Sequence, residues 1–114
     1  MLNEKVLNKI DFDKQGGLVP AIVQDKDTNE VLMLAYMSKE SLKITLEKKL
    51  ACYYSRSRNE VWLKGDTSNH YQHVYDIQVD CDYDTILLKV KQDGAACHTG
   101  AYSCFFNNLY KKED

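Results

Sequence analysis

The sequence predicts a single, mainly β domain of the α+β class, with one main helix covering the strands. Seven short runs rich in aromatic or β-branched residues are separated by Gly, Asn or Asp. Leucines at helical spacing over several turns occur in one segment, after Ser38. The length of 114 residues suits one domain, and we find no internal repeat or linker, so residues 1–114 are predicted to form one unit.

The N-terminal third is predicted to contain a short helix followed by a β-hairpin. Apolar residues recur at helical spacing over the first ten positions, before Gly16-Gly17 interrupts the pattern. The apolar runs 18–23 and 31–37 are joined by a polar, turn-forming stretch at 25–30. Pro20 places the first run at a sheet edge or a bulge, because proline cannot donate to a β-ladder.

The main helix is predicted to begin after Ser38, which is a good N-cap residue. Leu42, Leu46 and Leu50 follow at four-residue spacing with Lys and Glu between them, so one helical face is apolar. The remaining aromatic and β-branched runs predict strands at 51–55, 61–64, 71–81, 85–92 and 102–106.

Charge and targeting signals exclude several classes of function. Fifteen basic and seventeen acidic side chains give a net charge of −2, so no overall positive field attracts nucleic acid. The N-terminus lacks the pattern of a signal peptide, and no apolar stretch approaches the ~18 residues of a membrane span. We therefore expect a cytoplasmic protein without a membrane or nucleic-acid partner, in which the four cysteines are metal ligands or buried thiols.

The last third of the chain carries the strongest candidate site. Cys81, Cys97 and Cys104 form a soft ligand set suited to zinc, and three protein ligands leave a coordination position for water. The alternative is that these cysteines are buried core residues, since no C-x-x-C pair is present. His98 directly follows Cys97 and is the first candidate for proton transfer, with His70 second.

Two further clusters offer oxygen ligands and phosphate donors. Asp80, Asp82 and Asp84 alternate, so an extended backbone would present all three carboxylates on one side, suited to magnesium; the alternative is a solvated acidic turn. Two polar stretches, at 55–58 and 64–68, concentrate groups that bind phosphate oxygens, although each could be an ordinary surface loop. The substrate-binding candidates there are Arg56, Arg58, Lys64, Thr67 and Ser68.

Four blocks of the sequence together resemble the phosphoribosyl-AMP cyclohydrolases of histidine biosynthesis. They are YSRSR at 54–58, WLKGDTSNH at 62–70, DCDYD at 80–84 and ACHTGAYSCF at 96–105, and the resemblance extends from about residue 18 to residue 106. One departure is Ala101, where arginine often follows in the family's pattern. Some relatives also carry a pyrophosphohydrolase domain, and we expect that activity on another protein.

The resemblance implies hydrolysis of the N1–C6 bond of the adenine ring in 1-(5-phosphoribosyl)-AMP, giving the formimino-carboxamide ribonucleotide in the third step of histidine biosynthesis. It also implies a partly open, barrel-like sheet in an intertwined homodimer, with zinc sites shared between subunits. By position, Cys81 from one subunit and Cys97 and Cys104 from the other resemble the Zn²⁺ ligands. The residues that resemble the Mg²⁺ ligands are Asp80, Asp82 and Asp84.

Two other functions compete with this interpretation. A zinc-dependent base deaminase would need H-x-E and P-C-x-x-C signatures, and the sequence contains neither. A structural zinc or nucleotide-binding module without catalysis would hold its metal with a fourth protein ligand.

Overall fold

The computed structural model describes residues 1–113 as two short sheets and two α-helices. Helix α1 spans Glu4–Lys9 and is followed by a 3-10 turn at Asp13–Gln15. The elements that follow are β1 Leu18–Asp25, β2 Val31–Ser38, α2 Lys39–Lys48, β3 Cys52–Ser55, β4 Glu60–Leu63, β5 Gln72–Val79 and β6 Ile86–Gln92. The hairpin of β1 and β2 leads directly into α2, which is the main helix.

The larger sheet has the strand order β2-β1-β6-β5, and the smaller sheet pairs β3 with β4. Strand β1 is antiparallel to β2 and parallel to β6, while β5 and β6 are antiparallel. This arrangement confirms the mainly β, α+β prediction. The sheet is open, with β2 and β5 at its edges, so the barrel-like closure suggested by resemblance is not reached within residues 1–113. The intertwined dimer stays a prediction.

The predicted hairpin and helix positions are confirmed to within a few residues. The edge position predicted from Pro20 is wrong, because β1 is an inner strand; β1 pairs with β6 only from Ala21 onward, so at Pro20 its registered partner is β2 alone. The side chain of Ser38 accepts a hydrogen bond from the Ser41 amide, and the Ser41 hydroxyl accepts one from the Ser38 amide. This reciprocal capping starts α2, and Lys49 ends it in a left-handed conformation.

The core lies between α2 and the two sheets. Alternate residues of β1 and β6 are fully buried, as period-two alternation requires when one face of a sheet is covered. Leu42 of α2 packs against this cluster together with Tyr53 of β3, whose ring contacts Trp62 at 5.8 Å between centroids. The fully buried strand residues are Val19, Ala21, Val23, Ile86, Leu88 and Val90.

Two strand predictions are wrong near the candidate site. Residues 102–106 form no strand: the Cys104 amide donates to the Leu32 carbonyl at 2.7 Å, but no ladder follows, and the Phe105 side chain is 65% exposed. Strand β5 ends at Val79 instead of continuing to residue 81. The next residues turn sharply, with Tyr83 at φ 63°, so the aspartates lie on a turn and not on an extended backbone.

Candidate active site

The loop after β6 brings Cys97 and Cys104 together. Within this loop, the Cys97 amide donates to the Ala101 carbonyl and the Ala96 amide to the Tyr102 carbonyl, each at 3.1 Å. These bonds fold residues 96–104 back on themselves, so that the thiols of Cys97 and Cys104 lie beside one another. We call residues 96–104 the cysteine loop.

The cysteine loop is held against the start of β2 by bonds from its C-terminal half. The Ser103 hydroxyl donates to the Val31 carbonyl at 2.7 Å, next to the Cys104 amide bond to β2. The Tyr102 hydroxyl donates to the carboxylate of Asp25, which is 5% exposed at the end of β1. This bond, together with backbone N–H donors of the following turn, lowers the pKa of Asp25 to about 2. The same bond raises the pKa of Tyr102 to about 12.

The two thiols have different environments. The Thr99 hydroxyl donates to Cys97 Sγ at 3.1 Å and lowers the pKa of that thiol. Burial raises the pKa of Cys104. The Lys64 ammonium donates to the Ala96 carbonyl, directly before Cys97, at 2.6 Å. Burial lowers the pKa of Lys64, while the charges of the two thiols act in the opposite direction. A cationic side chain beside paired thiols favours their thiolate forms.

One predicted histidine lies on the cysteine loop, and the other contacts the chain two residues before the loop begins. His98 is exposed on the cysteine loop, directly after Cys97. His70 is exposed on the segment between β4 and β5, and its ring rests on Gly94, where an added Cβ would lie 2.7 Å from Nε2. Gly94 has φ 63°, a backbone conformation that favours glycine, and the His70 ring in its present position leaves no room for a Cβ.

The turn from Lys64 to His70 is compact because Gly65 has no side chain. A Cβ there would lie 2.7 Å from the carbonyl of His70, and Gly65 has φ 94°. Thr67 and Ser68 are exposed on this turn, and the Ser68 hydroxyl accepts a hydrogen bond from the His70 amide at 3.2 Å. Lys64 and His70 therefore share one turn, with the predicted phosphate-binding hydroxyls between them.

Arg56 and Arg58 lie at the opposite end of the β3–β4 hairpin from Lys64. The four residues of β4 separate the two ends by about 13 Å. The Arg56 guanidinium stacks on the Tyr36 ring at 3.9 Å, and Arg58 pairs with Glu60 at 3.5 Å. Within one chain, the two arginines are therefore separated from Lys64 and the cysteine loop.

Residues 80–84, between β5 and β6, form a turn that brings three carboxylates together, and we call it the aspartate turn. Ligand oxygens of Asp80, Asp82 and Asp84 all lie within 4.8 Å of one another. The Lys14 ammonium donates to Asp84 at 2.9 Å and to Asp82 at 3.4 Å. Lys14 lowers the pKa of Asp84 to about 2, whereas the neighbouring carboxylates Asp84 and Asp80 raise the pKa of Asp82.

Cys81 lies on the aspartate turn, away from the other two predicted zinc ligands. Strand β6, seven residues long, runs from this turn towards the cysteine loop, a distance of about 23 Å. Cys81 is exposed, while Cys52 is buried in β3, where burial raises the pKa of its thiol. One chain thus brings together Cys97 and Cys104 and leaves Cys81 at the far end of β6.

Comparison with known proteins identifies the family. A model of the phosphoribosyl-AMP cyclohydrolase family matches residues 33–106. The chain belongs to this family. It is 65% identical to a phosphoribosyl-AMP cyclohydrolase of Streptococcus thermophilus over 90% of this chain and 91% of the relative. A Clostridium botulinum relative of the same name is 58% identical over 93% of this chain and 97% of its own length.

The membership in the phosphoribosyl-AMP cyclohydrolase family predicted from the motif blocks is thus confirmed, and with it the prediction of an enzyme. Residues 1–113 contain no helix long and apolar enough to cross a membrane. The family motifs gave no indication of Lys14, or of the Asp25–Tyr102 bond that holds the cysteine loop. The residues that these contacts join are 70 and 77 positions apart, and local sequence patterns carry no signal for such contacts.

Proposed function

We propose that the protein is a phosphoribosyl-AMP cyclohydrolase that opens the adenine ring of 1-(5-phosphoribosyl)-AMP at the N1–C6 bond, in histidine biosynthesis. Water adds to C6, the N1–C6 bond breaks and N1 gains a proton, giving the formimino-carboxamide ribonucleotide. The observation that carries the proposal is the cysteine loop, in which the family-motif residues Cys97 and Cys104 lie side by side and Lys64 bonds to the Ala96 carbonyl. Two relatives named for this activity are 65% identical over 90% and 62% identical over 91% of this chain.

Zinc would be held by Cys97 and Cys104 of one chain and Cys81 of a second copy. Paired thiols beside a lysine ammonium suit a soft divalent ion, because thiolates are the form that binds it. When bound, zinc supplies a Lewis acid that activates water for attack on an electron-poor carbon. The span of β6 supports sharing, since Cys81 cannot reach the cysteine loop of its own chain without rearrangement of the sheet.

A homodimer follows from this sharing, and the surface supports it. Large apolar side chains are exposed on the β1–β2 hairpin, on β5 and after the cysteine loop, and a chain of this size buries only a modest fraction of its own surface. Leu34 is 48%, Tyr75 64% and Phe106 55% exposed. In such a dimer the aspartate turn of one chain would meet the cysteine loop of the other.

The remaining predicted residues would bind substrate or transfer protons. His98, with His70 as the alternative, would carry the proton from the attacking water to N1, because His98 directly follows Cys97 and His70 contacts Gly94, just before the cysteine loop. Lys64, Thr67 and Ser68 would bind one phosphate. A second phosphate would be bound by Arg56 and Arg58, which the dimer must bring near the site.

Magnesium would bind at Asp80, Asp82 and Asp84, where the Lys14 ammonium now bonds to two of the carboxylates. Their oxygens converge to within 4.8 Å, and carboxylates are the ligands that this hard ion prefers. Magnesium would displace the Lys14 ammonium, which neutralises part of the same charge. We also propose a cytoplasmic location, which suits four free cysteines, and no nucleic-acid or membrane partner, given the net charge of −2.

The experiment is an assay of ring opening followed by absorbance, using phosphoribosyl-AMP with and without a zinc chelator. We expect turnover by the purified protein, its loss on chelation and its return when zinc is added back. Bound zinc without any ring opening would instead support a structural zinc module. Turnover that is unchanged after complete removal of zinc would refute the metal assignment and leave the activity standing.

A further inference from the structure

A chain of three buried polar side chains crosses the core towards the candidate site. Tyr53 and Gln72 are 0% exposed and Gln92 is 5% exposed. The Tyr53 hydroxyl donates to Gln72 Oε1, and Gln72 Nε2 donates to Gln92 Oε1 at 2.8 Å. Buried polar groups of this kind are costly unless every one of them is paired, so the chain defines one arrangement of the three side chains.

The direction of this hydrogen-bond chain is set at its last member. The amide nitrogen of Gln92 faces three backbone carbonyls, those of Asp93 at 2.9 Å, His70 at 3.4 Å and Ala95 at 3.5 Å. Carbonyl oxygens accept and never donate, so the group facing them must be the NH₂ of the amide. The Gln92 oxygen must then accept, which requires Gln72 to donate to it and leaves the Gln72 oxygen for Tyr53.

The carbonyls that meet at Gln92 belong to two separate segments of the candidate site. His70 ends the turn that begins at Lys64, whereas Asp93 and Ala95 lead from β6 into the cysteine loop. The same junction carries a backbone bond, from the Asp93 amide to the Tyr71 carbonyl at 2.9 Å. It also carries the contact between the His70 ring and Gly94.

We propose that Gln92 is a positioning residue. It fixes where His70 lies relative to Cys97, and so fixes the geometry of the cysteine loop that would bind zinc. Gln72 and Tyr53 orient the Gln92 amide from within the core. The inference rests on the proposed function, because it assigns the effect to zinc binding at the cysteine loop. Replacing a residue that orients metal ligands without binding the metal itself commonly changes metal affinity by about 10–100-fold.

The test compares Gln92→Met with Ser41→Ala in the full chain. Methionine keeps the approximate length of glutamine but cannot donate to carbonyls. Ser41 is also buried and hydrogen-bonded. It lies just after the end of β2, whereas the cysteine loop contacts the start of β2. The length of the strand separates the two places by about 26 Å. Both variants remove buried hydrogen bonds and should lower stability, so stability alone does not separate them.

Zinc affinity, measured by competition with a chelator, is expected to fall about 10–100-fold in Gln92→Met and to change less than about twofold in Ser41→Ala. Amide hydrogen exchange of the zinc-free protein is a second readout. We expect the Asp93 amide, which bonds to the Tyr71 carbonyl, to exchange faster in Gln92→Met and at the wild-type rate in Ser41→Ala.

If Gln92→Met does not fold, Tyr53→Phe tests the same chain by removing only its first donor, and it should change both readouts in the same direction by a smaller factor. Zinc affinity and Asp93 exchange that both stay at wild-type values in a folded variant would overturn the proposal. A wild-type protein that binds no zinc would instead overturn the metal site proposed above, and the exchange measurement would then decide the role of Gln92 by itself.

Discussion

Replacing Gly94 by alanine would place a methyl group where the His70 imidazole now lies. The new Cβ would stand 2.7 Å from Nε2 and 2.8 Å from Cδ2, closer than non-bonded atoms approach. His70 is exposed, so its ring can rotate away at low cost. The substitution therefore moves His70 without removing it, and tests whether its present position matters.

The stability cost of this change can be separated from its effect on His70. Gly94 has φ 63°, and a left-handed conformation costs an alanine about 1–2 kcal/mol. Gly16 has φ 72° with no atom within 4 Å of an added Cβ, so Gly16→Ala carries the same backbone cost without any contact. We expect both variants to lose about 1–2 kcal/mol of unfolding free energy in urea titrations.

Turnover should distinguish the two glycine variants. If His70 transfers the proton, its displacement should lower kcat at least about tenfold in Gly94→Ala, which is part of the roughly 10²–10⁴-fold that general acid–base catalysis contributes. Adding Gly94→Ala to His70→Ala should then cause little further loss, because both changes act on one group. Equal kcat values for Gly94→Ala and Gly16→Ala would refute this reasoning and leave His98 as the proton-transfer candidate.

Three further predictions concern the metals and the dimer. Cys104→Ala should lose both bound zinc and turnover, whereas replacing the buried Cys52 by alanine should change neither; zinc-free Cys104→Ala protein with full turnover would contradict the metal assignment. Cys81→Ala and Cys97→Ala proteins should each be inactive but regain up to one working site per mixed dimer when refolded together, and no recovery would reject a shared site. Asp82→Asn should weaken the magnesium dependence of the rate more than the zinc content, because carboxylates favour magnesium and thiolates zinc; a wild-type magnesium titration would make the aspartate turn structural.

Local patterns predicted the elements whose stability is local. The Ser38 cap and the four-residue leucine spacing placed α2 correctly, because capping and one buried face are decided within a few turns. Runs rich in aromatic or β-branched residues placed six of the seven predicted strands correctly. Residues 102–106 failed because their backbone bonds serve loop positions, such as Cys104 bound to Leu32, and an aromatic-rich composition does not reveal where such bonds go.

The sequence by itself determined the family, the presence of one group of thiols and one group of carboxylates as candidate ligands, and most of the secondary structure. All of these depend on residue identity and short spacings. Only the tertiary structure decided which candidates meet. It placed Cys97 and Cys104 beside Lys64, left Cys81 at the far end of β6, and brought the Lys14 ammonium to the aspartates. Contacts between residues far apart in the chain depend on strand order and loop closure, and no local pattern encodes either of them.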